Sequence, residues 1–331
     1  MEYQAANWPS KVYKERPLMT LDQPLSIIGL LTALYLLTRL AFHAHTYLRR
    51  SSLPHYLHPS TPTWALITGA TDGIGLGFAQ ELCQRGFNVI LHGRNPKKLQ
   101  DTQAQLAREY PLAKTKTVVF DASHPPDGLE QRVREWIGDA ELSVLINNVG
   151  GQGGLTRRTY QTLEESTGED VDTLLNLNAR FATQITRVLL PALVCHSPSL
   201  IMNISSIAAL GLPYLDVYAG AKGYIDSFTR ALGAEMVAEG KQVEVLGIQV
   251  GSVRSAGNDV DEGFFIPTSR QLAKAALERV GCGRLVLCAF WPHALQLGLA
   301  EMLPEKWMQS VSIRTIKGLK ILSEEKEKWE S

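Results

Sequence analysis

The stretch that decides the fold is TGATDGIG at residues Thr68–Gly75, which follows the apolar run Trp64–Thr68 and precedes a helical pattern. Its glycines let the backbone turn tightly and approach a ligand closely, and the N-terminus of the following helix offers free N–H groups to an anion. The pattern therefore predicts a diphosphate-binding loop between a strand and a helix. A tight turn that holds no ligand is the alternative.

The sequence around this loop alternates apolar runs with helical patterns, from residue 63 to residue 251. The six candidate strands are Trp64–Thr68, Asn88–Leu91, Thr117–Phe120, Ser143–Ile146, Leu200–Ile204 and Val243–Gln249. Such alternation predicts an α/β fold with a doubly wound parallel sheet that is covered by helices on both faces. Ligands of these sheets bind at the carboxyl ends of the strands, so the residues that follow each strand are the candidates for function.

Composition excludes several classes of protein. The 331 residues include 33 Lys+Arg and 33 Asp+Glu, so no basic excess favours nucleic acid. The four cysteines show no CxxC pattern, and the eight histidines form no HExxH motif. We therefore expect reduced thiols and no metal site. The mean hydropathy of −0.06 is typical of a soluble protein, but an average can hide one membrane segment.

An N-terminal extension, residues 1–62, contains such a segment. The run Leu25–Phe42, LSIIGLLTALYLLTRLAF, has Arg39 as its one charge, near the end where a long side chain reaches the headgroups. Its length predicts a transmembrane helix of about 20 residues, with a buried or interfacial helix as the alternative. Residues 51–62 contain three prolines and are predicted to form a linker.

The C-terminal part begins with a loop at residues 252–268 and a predicted helix, Ser269–Val280. A second apolar region, Leu285–Leu303, is too interrupted for a membrane span. It fits a segment lying on a membrane surface and an ordinary core segment equally well. The charged tail after Leu322 is predicted to be solvated.

The ends of the next three strands carry candidate cofactor contacts. Strand two leads into Arg94, where NAD-binding sites usually place a carboxylate, and a planar cation suits a 2′-phosphate. This favours NADP(H), with a solvated surface arginine as the alternative. Asp121 follows strand three and predicts a hydrogen bond to an adenine ring, while Asn148 and Gly150 follow strand four and suit a close approach to ribose. Turn formation alone also accounts for either of these last sites.

Candidate catalytic residues follow strands five and four. Tyr218 and Lys222 stand four apart, on one face of a predicted helix, and a nearby ammonium favours phenolate. Ser205 lies thirteen residues before Tyr218, where its hydroxyl suits a carbonyl oxygen, and Asn178 lies twenty-seven residues before Ser205. The set predicts proton transfer to or from a carbonyl or hydroxyl group.

Together, these motifs resemble the short-chain dehydrogenase/reductase family over roughly residues 63–290. The resemblance implies a Rossmann domain in which Tyr218 is the general acid, Ser205 orients the carbonyl, Lys222 binds the ribose and lowers the tyrosine pKa, and Asn178 holds a relay water. It also implies a set of cofactor contacts. These are Gly69, Thr71, Asp72, Gly73, Ile74, Gly75, Arg94, Asn95, Asp121, Asn148, Gly150, Tyr218, Lys222 and Val253.

Within the family, the chain is similar to membrane-bound very-long-chain 3-oxoacyl-CoA reductases and 17-beta-hydroxysteroid dehydrogenases. The N-terminal apolar segment, Asp72, the FIPT run at residues 265–268 and the WPHAL run at residues 291–295 carry this likeness. The chain departs from the family pattern at Val250-Gly251, where Pro-Gly is usual. It also has acidic residues in the loop 255–263, namely Asp259, Asp261 and Glu262, which suit an anionic thioester poorly.

The sequence thus predicts an NADPH-dependent ketone reductase of residues 63–290, with an N-terminal anchor and a C-terminal apolar segment and tail at 291–331. The expected substrate is a lipophilic ketone, first a long-chain 3-oxoacyl thioester; a specialised-metabolite (polyketide-type) ketone or a steroid is the alternative. A non-catalytic NADP-binding protein is a further alternative. The expected location is the endoplasmic reticulum membrane, with the catalytic domain cytosolic. The oligomeric state stays open, with a homodimer among the options.

Overall fold

Parallel strands form one sheet in the order β3-β2-β1-β4-β5-β6-β7. This computed structural model describes residues 22–58, 61–152, 158–255, 257–258 and 260–330. The strands are β1 (Thr63–Ile67), β2 (Asn88–Gly93), β3 (Thr115–Val119), β4 (Glu141–Asn147), β5 (Ser199–Ser206), β6 (Val243–Val250) and β7 (Val286–Leu287). All six predicted strands are confirmed within a few residues of their ends. The short edge strand β7 was not predicted, because two residues show no periodicity.

The helices alternate with the strands, as predicted for a doubly wound α/β fold. They are α1 (Asp22–Leu48), α2 (Gly73–Gln84), α3 (Pro96–Glu109), α4 (Leu129–Ile137), α5 (Gly168–Leu175), α6 (Phe181–Cys195), α7 (Asp216–Ala238), α8 (Ser269–Glu278), α9 (Trp291–Glu301) and α10 (Glu305–Glu330). A π-helical turn, Asn176–Arg180, joins α5 to α6. The predicted helix Ser269–Val280 is present as α8.

The order of the strands creates a crevice between β1 and β4. From β1 the chain proceeds outward to β2 and β3, then returns to lay β4 on the other side of β1. The loops that follow β1 and β4 therefore diverge at the carboxyl edge of the sheet, which is where ligands of such sheets bind. TGATDGIG follows β1, and the residues Asn148 to Gly150 follow β4.

Apolar side chains cover both faces of the sheet. Phe78 of α2 and Leu272 of α8 belong to the core on one face. Phe181 of α6 and Met236 of α7 belong to the core on the other face. Each of these side chains is almost fully buried, and burial of one such group stabilises the fold by about 1.5–3 kcal/mol. The sheet is therefore a rigid support for the loops at its edge.

The described chain divides into two compact units between Arg49 and Arg50. The first unit contains α1, whose segment Pro24–Leu48 is long and apolar enough to cross a membrane. Its leucine and isoleucine side chains are exposed, as in Leu30 and Leu40. The helix is longer than the predicted run Leu25–Phe42, because the less apolar residues after Phe42 continue the helix.

The second unit begins earlier than the sequence predicted. The prediction of a linker over residues 51–62 is wrong for residues 51–58, where Leu53 and Tyr56 lie in a short helical turn and are buried in the core. The hydroxyl of Ser51 donates to the carbonyl of Leu277 at 2.5 Å. Pro54 lies at the start of this turn, where a missing N–H is tolerated.

Candidate active site

The glycine-rich loop after β1 is a tight cradle. Gly69 adopts a left-handed conformation with φ +66°, and a Cβ at Gly75 would lie 2.0 Å from the carbonyl oxygen of Gly69. The Asn148 side-chain amide, from the loop after β4, donates to the carbonyls of Thr68 and Gly69 at 3.0 and 3.1 Å. Asp72 caps α2 by accepting from the N–H of Gly73. The loop is thus held from both sides, with the N-terminus of α2 behind it.

His92, a residue that the sequence analysis did not single out, fixes the next two strands to this loop. Its Nδ1 accepts from the N–H of Gly69 at 3.3 Å, and its Nε2 donates to the carbonyl of Phe120 at 3.2 Å. These bonds require the neutral ring. Burial lowers the pKa of His92 to about 4, although the Phe120 carbonyl and the nearby Asp121 charge oppose this shift. His92 therefore links the ends of β1, β2 and β3.

The residues after β2 and β3 bring charge to one end of the crevice. Arg94 is exposed at the cavity wall, and its charge acts on Asp121. Burial opposes ionisation of Asp121, but bonds from the hydroxyl and N–H of Ser123, together with Arg94, hold its pKa below the ordinary range. The Asn95 side chain caps α3 by accepting from the N–H of Lys98, outside the cavity lining.

Lys222 is buried in the cavity wall, where its Nζ donates to the carbonyl of Ile204 at 2.9 Å. Burial lowers the pKa of this ammonium to about 8, against the opposing charge of Asp226. A Cβ at Gly150 would lie 2.8 Å from Lys222 Nζ and 2.7 Å from Asn178 Oδ1. Only glycine at this position leaves room for both side chains.

Asn178 lies behind Gly150 in the π-helical turn and is buried. Its side chain accepts from the N–H of Gly151 at 2.8 Å and donates to the carbonyls of Gly151 and Leu174 at 2.9 and 3.0 Å. The amide group is thus occupied by backbone partners and fixes the loop beside Lys222. The relay water that the family resemblance implies for Asn178 stays a prediction.

The structure places Ser206, rather than Ser205, against the tyrosine. The nearby Ser206 side chain, whose hydroxyl donates to the carbonyl of Val250 at 3.3 Å, lowers the pKa of the Tyr218 phenol, while burial raises that pKa more strongly. The hydroxyl of Ser205 donates to the backbone carbonyl of Lys222 at 3.1 Å. Strand β5 continues to Ser206, and neighbouring strand residues point to opposite faces, so only one of the two serines can face the phenol.

The loop after β6 is fixed by His293 of α9, a second histidine with no predicted role. Nδ1 of His293 accepts from the N–H of Gly251 at 3.2 Å. Its Nε2 lies 3.1 Å from the carbonyl of Ser252 and 3.0 Å from that of Phe265. A Cβ at Gly251 would lie 2.9 Å from the histidine ring, so glycine at this position gives the ring its space. One buried imidazole thus joins the loop after β6, the loop before α8 and the start of α9.

These loops enclose a cavity of about 540 Å³ at the carboxyl edge of the sheet. Most of the predicted site residues line it. They are Gly69, Thr71, Asp72, Gly73, Ile74, Arg94, Asp121, Asn148, Gly150, Ser205, Tyr218, Lys222 and Val253. Three predicted residues lie outside the cavity lining, namely Gly75, Asn95 and Asn178. The lining also includes two residues that were not predicted, Ser206 and His92.

The acidic loop over residues 255–263 is partly neutralised. Glu262 pairs with Arg254 at 2.8 Å, and both side chains are exposed. Asp261 is exposed as well, and Asp259 lies outside the described residues. The loop therefore presents less net negative charge than the sequence suggested.

The glycine cradle lies at the crevice between β1 and β4, and a Cβ at Gly75 would fill it. Such a cradle fits the diphosphate of a dinucleotide. At the same edge of the sheet, a phenol and a buried ammonium stand one helical turn apart. The class of protein that this arrangement defines is an oxidoreductase that uses a nicotinamide dinucleotide.

The chain belongs to the short-chain dehydrogenase family, whose model matches residues 63–262. It is 32% identical to a very-long-chain 3-oxoacyl-CoA reductase-like protein of Arabidopsis thaliana, over 76% of this chain and 82% of that protein. It is 30% identical to a very-long-chain 3-oxoacyl-CoA reductase of Anas platyrhynchos, over 80% and 83%. A hydroxysteroid dehydrogenase-like protein of Gallus gallus is 29% identical over 86% of both chains.

Solved structures share the fold. A 7beta-hydroxysteroid dehydrogenase superposes with a TM-score of 0.66 at 20% identity, over 77% of this chain and 96% of that one. A short-chain dehydrogenase from Sphingobium yanoikuyae, in complex with NADPH, superposes with a TM-score of 0.58 at 23% identity, over 73% and 97%. At these identities, the likeness supports the Rossmann architecture of the domain. The family membership makes the chain an oxidoreductase that acts on hydroxyl or ketone groups.

Proposed function

We propose that the protein is an NADPH-dependent reductase of a lipophilic ketone. The observation that carries this proposal is that Tyr218, Ser206, Lys222 and the glycine cradle line one cavity. A protein that only binds a dinucleotide needs no phenol and hydroxyl in this arrangement. The non-catalytic alternative therefore leaves the arrangement without a purpose.

The side chains divide the chemistry between them. When bound, the reduced nicotinamide supplies the hydride that attacks the carbonyl carbon. Ser206 donates a hydrogen bond to the carbonyl oxygen, and Tyr218 transfers its proton to that oxygen as the carbon–oxygen double bond becomes a single bond. Burial raises the pKa of the phenol, which keeps the proton on Tyr218 until the oxyanion develops. The Lys222 ammonium, 5.7 Å from the Tyr218 ring centroid, then stabilises the phenolate.

Arg94 supports NADPH over NADH. Its guanidinium is exposed at the end of β2, where an NAD site usually carries a carboxylate. A planar guanidinium binds a phosphate through paired hydrogen bonds. Lys98, whose Nζ lies 3.8 Å from Asp72, adds positive charge on the adjoining helix.

A long-chain 3-oxoacyl thioester is our first choice of substrate. The names of the Arabidopsis thaliana and Anas platyrhynchos relatives support it. The ion pair between Arg254 and Glu262 reduces the charge conflict with an anionic thioester. A steroid is the second choice, supported by the hydroxysteroid dehydrogenase-like relative of Gallus gallus.

The same proposal includes attachment to the endoplasmic reticulum membrane through α1. Its apolar segment, Pro24–Leu48, matches the length needed to cross a bilayer. An anchored enzyme meets a substrate that partitions into lipid. The catalytic domain would then face the cytosol.

The test measures NADPH consumption by the full chain in detergent, with 3-oxoacyl-CoAs of increasing chain length, steroid ketones and polyketide ketones. We expect turnover that rises with acyl length and is lost in Tyr218→Phe. Tyr224→Phe, on the exposed side of the same helix, is the matched control and should keep full activity. Turnover of a steroid without turnover of any acyl-CoA would overturn the first choice of substrate. Retained activity in Tyr218→Phe would overturn the mechanism.

A further inference from the structure

Helices α9 and α10 present an exposed apolar surface that the catalytic site does not use. We call the side chains Trp291, Leu295, Leu299, Met302 and Trp307 the α9–α10 surface. Trp291, Leu295 and Leu299 repeat every four residues along one face of α9, whose opposite side buries Pro292 and His293. Met302 is 80% exposed and Leu299 is 57% exposed. Contiguous apolar side chains of this kind mark an interaction site rather than ordinary surface.

Helix α10 extends this surface with positive charge. Its inner side is fixed to the domain by Ile316, which is buried, and by Lys320, which lies 3.5 Å from Glu165. Its outer side exposes Trp307, Val311 and Leu322 at helical spacings. Between Lys306 and Leu322 the helix has three basic residues besides the inward-facing Lys320, and no acidic one. An apolar face flanked by basic residues is typical of a helix that lies in the plane of an anionic membrane.

The ends of the surface carry tryptophans, the residue that is enriched at the headgroup level of bilayers. Trp291 also contacts Phe264, with ring centroids 5.2 Å apart, and Phe264 precedes the residue whose carbonyl lies against His293. The loop after β6 lines the catalytic cavity. The surface therefore contacts, through Phe264, the chain segment that continues from the cavity-lining loop.

We infer that the α9–α10 surface lies on the lipid bilayer and forms a second membrane contact, through which a lipophilic ketone reaches the cavity from the membrane. The lipid surface is the occupant that the observations favour, because of the basic residues and the flanking tryptophans. Only residues 49–52 separate the end of α1 from Leu53, which is buried in the catalytic domain. An inserted α1 would thus tether the domain to a membrane through a short covalent link. The inference rests on the membrane attachment proposed above, so the experiment measures the two contacts separately.

The test places an environment-sensitive fluorophore on single cysteines of the full chain, reconstituted in vesicles of phosphatidylcholine and phosphatidylserine that contain a nitroxide-labelled lipid. Cys195→Ser and Cys282→Ser remove the accessible native thiols. The labels are placed by Met302→Cys on the proposed surface, by Leu31→Cys in α1 and by Leu112→Cys as control. Leu112 is 98% exposed and lies in the turn between α3 and β3.

We expect quenching at Met302→Cys at least about twofold greater than at Leu112→Cys, because an interfacial helix buries its apolar face about 5–10 Å into the boundary of the acyl chains. The double substitution Leu295→Glu with Leu299→Glu should remove this excess, whereas Val237→Glu, at another exposed apolar position, should not. Replacing phosphatidylserine by phosphatidylcholine should lower the quenching, as should Arg314→Glu with Lys317→Glu.

Equal quenching at Met302→Cys and Leu112→Cys, with strong quenching at Leu31→Cys, would overturn this inference and leave the membrane anchor intact. Weak quenching at Leu31→Cys would overturn the anchor itself. Protection of the Met302→Cys label that depends on protein concentration, and not on the quenching lipid, would assign the surface to a second copy of the chain and overturn the inference.

Discussion

The side chain of Ser206 lies close enough to the phenol of Tyr218 to lower its pKa, whereas the adjacent Ser205 donates its hydroxyl proton to the carbonyl of Lys222 at 3.1 Å. The two serines are neighbours at the end of β5, where alternate residues face opposite sides of the sheet. Ser205 therefore contacts the helix that carries Tyr218 and Lys222, and Ser206 lies towards the phenol. We propose Ser206 as the residue that orients the carbonyl.

Ser206→Ala should lower kcat about 10²–10³-fold, which is typical of the loss of one donor to a developing oxyanion. Ser205→Ala should lower kcat much less, because it removes one hydrogen bond of a buried hydroxyl, worth about 1 kcal/mol of folding free energy. The measurement compares steady-state rates of both variants with the ketone that the substrate panel identifies. Urea unfolding of both variants provides the control for stability. The reverse order of effects on kcat would return the role to Ser205.

The choice between Ser205 and Ser206 shows how much of the site could be predicted from the sequence. Spacing along the chain pointed to Ser205, thirteen residues before Tyr218. The chain between β5 and α7 contains a short helical turn, Ile207–Leu210, which the spacing along the chain does not reveal. That geometry depends on where the strand ends. The apolar pattern of the sequence predicted that β5 ends at Ile204. In the structure the strand continues to Ser206, which pairs with Val250 of β6.

Other parts were within reach of the sequence. The sheet was predictable because β1, β2, β4 and β5 are continuous apolar runs, and TGATDGIG marks the first strand end without ambiguity. His92 and His293 were not predictable, because each acts through partners that are distant along the chain. A lone histidine in a sequence gives no sign of such partners. The ring of His293 against Gly251 explains the glycine of Val250-Gly251, but not the valine that stands where proline is usual.

Arg94→Asp should reverse the preference for NADPH over NADH. The substitution removes the cation that faces a 2′-phosphate and supplies the carboxylate that suits ribose hydroxyls. We expect the ratio of kcat/KM values, NADPH to NADH, to fall about 10- to 100-fold, since a charge-assisted phosphate contact contributes about 1.5–3 kcal/mol. Arg108→Asp, at an exposed position near the end of α3, is the matched control. An unchanged ratio in Arg94→Asp would contradict the cofactor assignment.

Asp226→Asn should move the alkaline limb of the pH–rate profile to lower pH. Burial lowers the pKa of Lys222 to about 8, and the charge of Asp226 keeps this pKa from falling further. Gln249 holds the carboxylate in place through a 2.7 Å hydrogen bond. Without the charge, the ammonium loses its proton at lower pH, and kcat/KM at pH 8 should fall about two- to fivefold. Glu235→Gln, exposed on the same helix, should leave the profile unchanged, and an unshifted limb in Asp226→Asn would refute the coupling.

His92 should make the domain sensitive to acid. Burial lowers its folded-state pKa to about 4, below the ordinary value of 6.5, so the unfolded chain binds the proton first as the pH falls. The stability contribution is complete above pH 6.5 and is lost between pH 6.5 and 4, by an amount of about 3 kcal/mol. Urea unfolding at pH 7 and pH 5 should show about 2 kcal/mol of this loss. His92→Gln should lose less stability over this interval than the wild type, whereas His55→Gln, at an exposed position, should lose as much as the wild type.

His293→Phe should raise KM for the ketone more than it lowers kcat. The substitution removes the acceptor for the Gly251 N–H and the donor to the carbonyls of Ser252 and Phe265, while Tyr218 and Lys222 keep their contacts. The substrate end of the cavity should loosen, and the buried N–H without a partner should cost about 1–3 kcal/mol of unfolding free energy. His293→Gln retains an acceptor and a donor, so it should recover part of the KM. A stability loss without any change in KM would show that His293 only supports the fold, because a positioning role requires the substrate to sense the loosened loop.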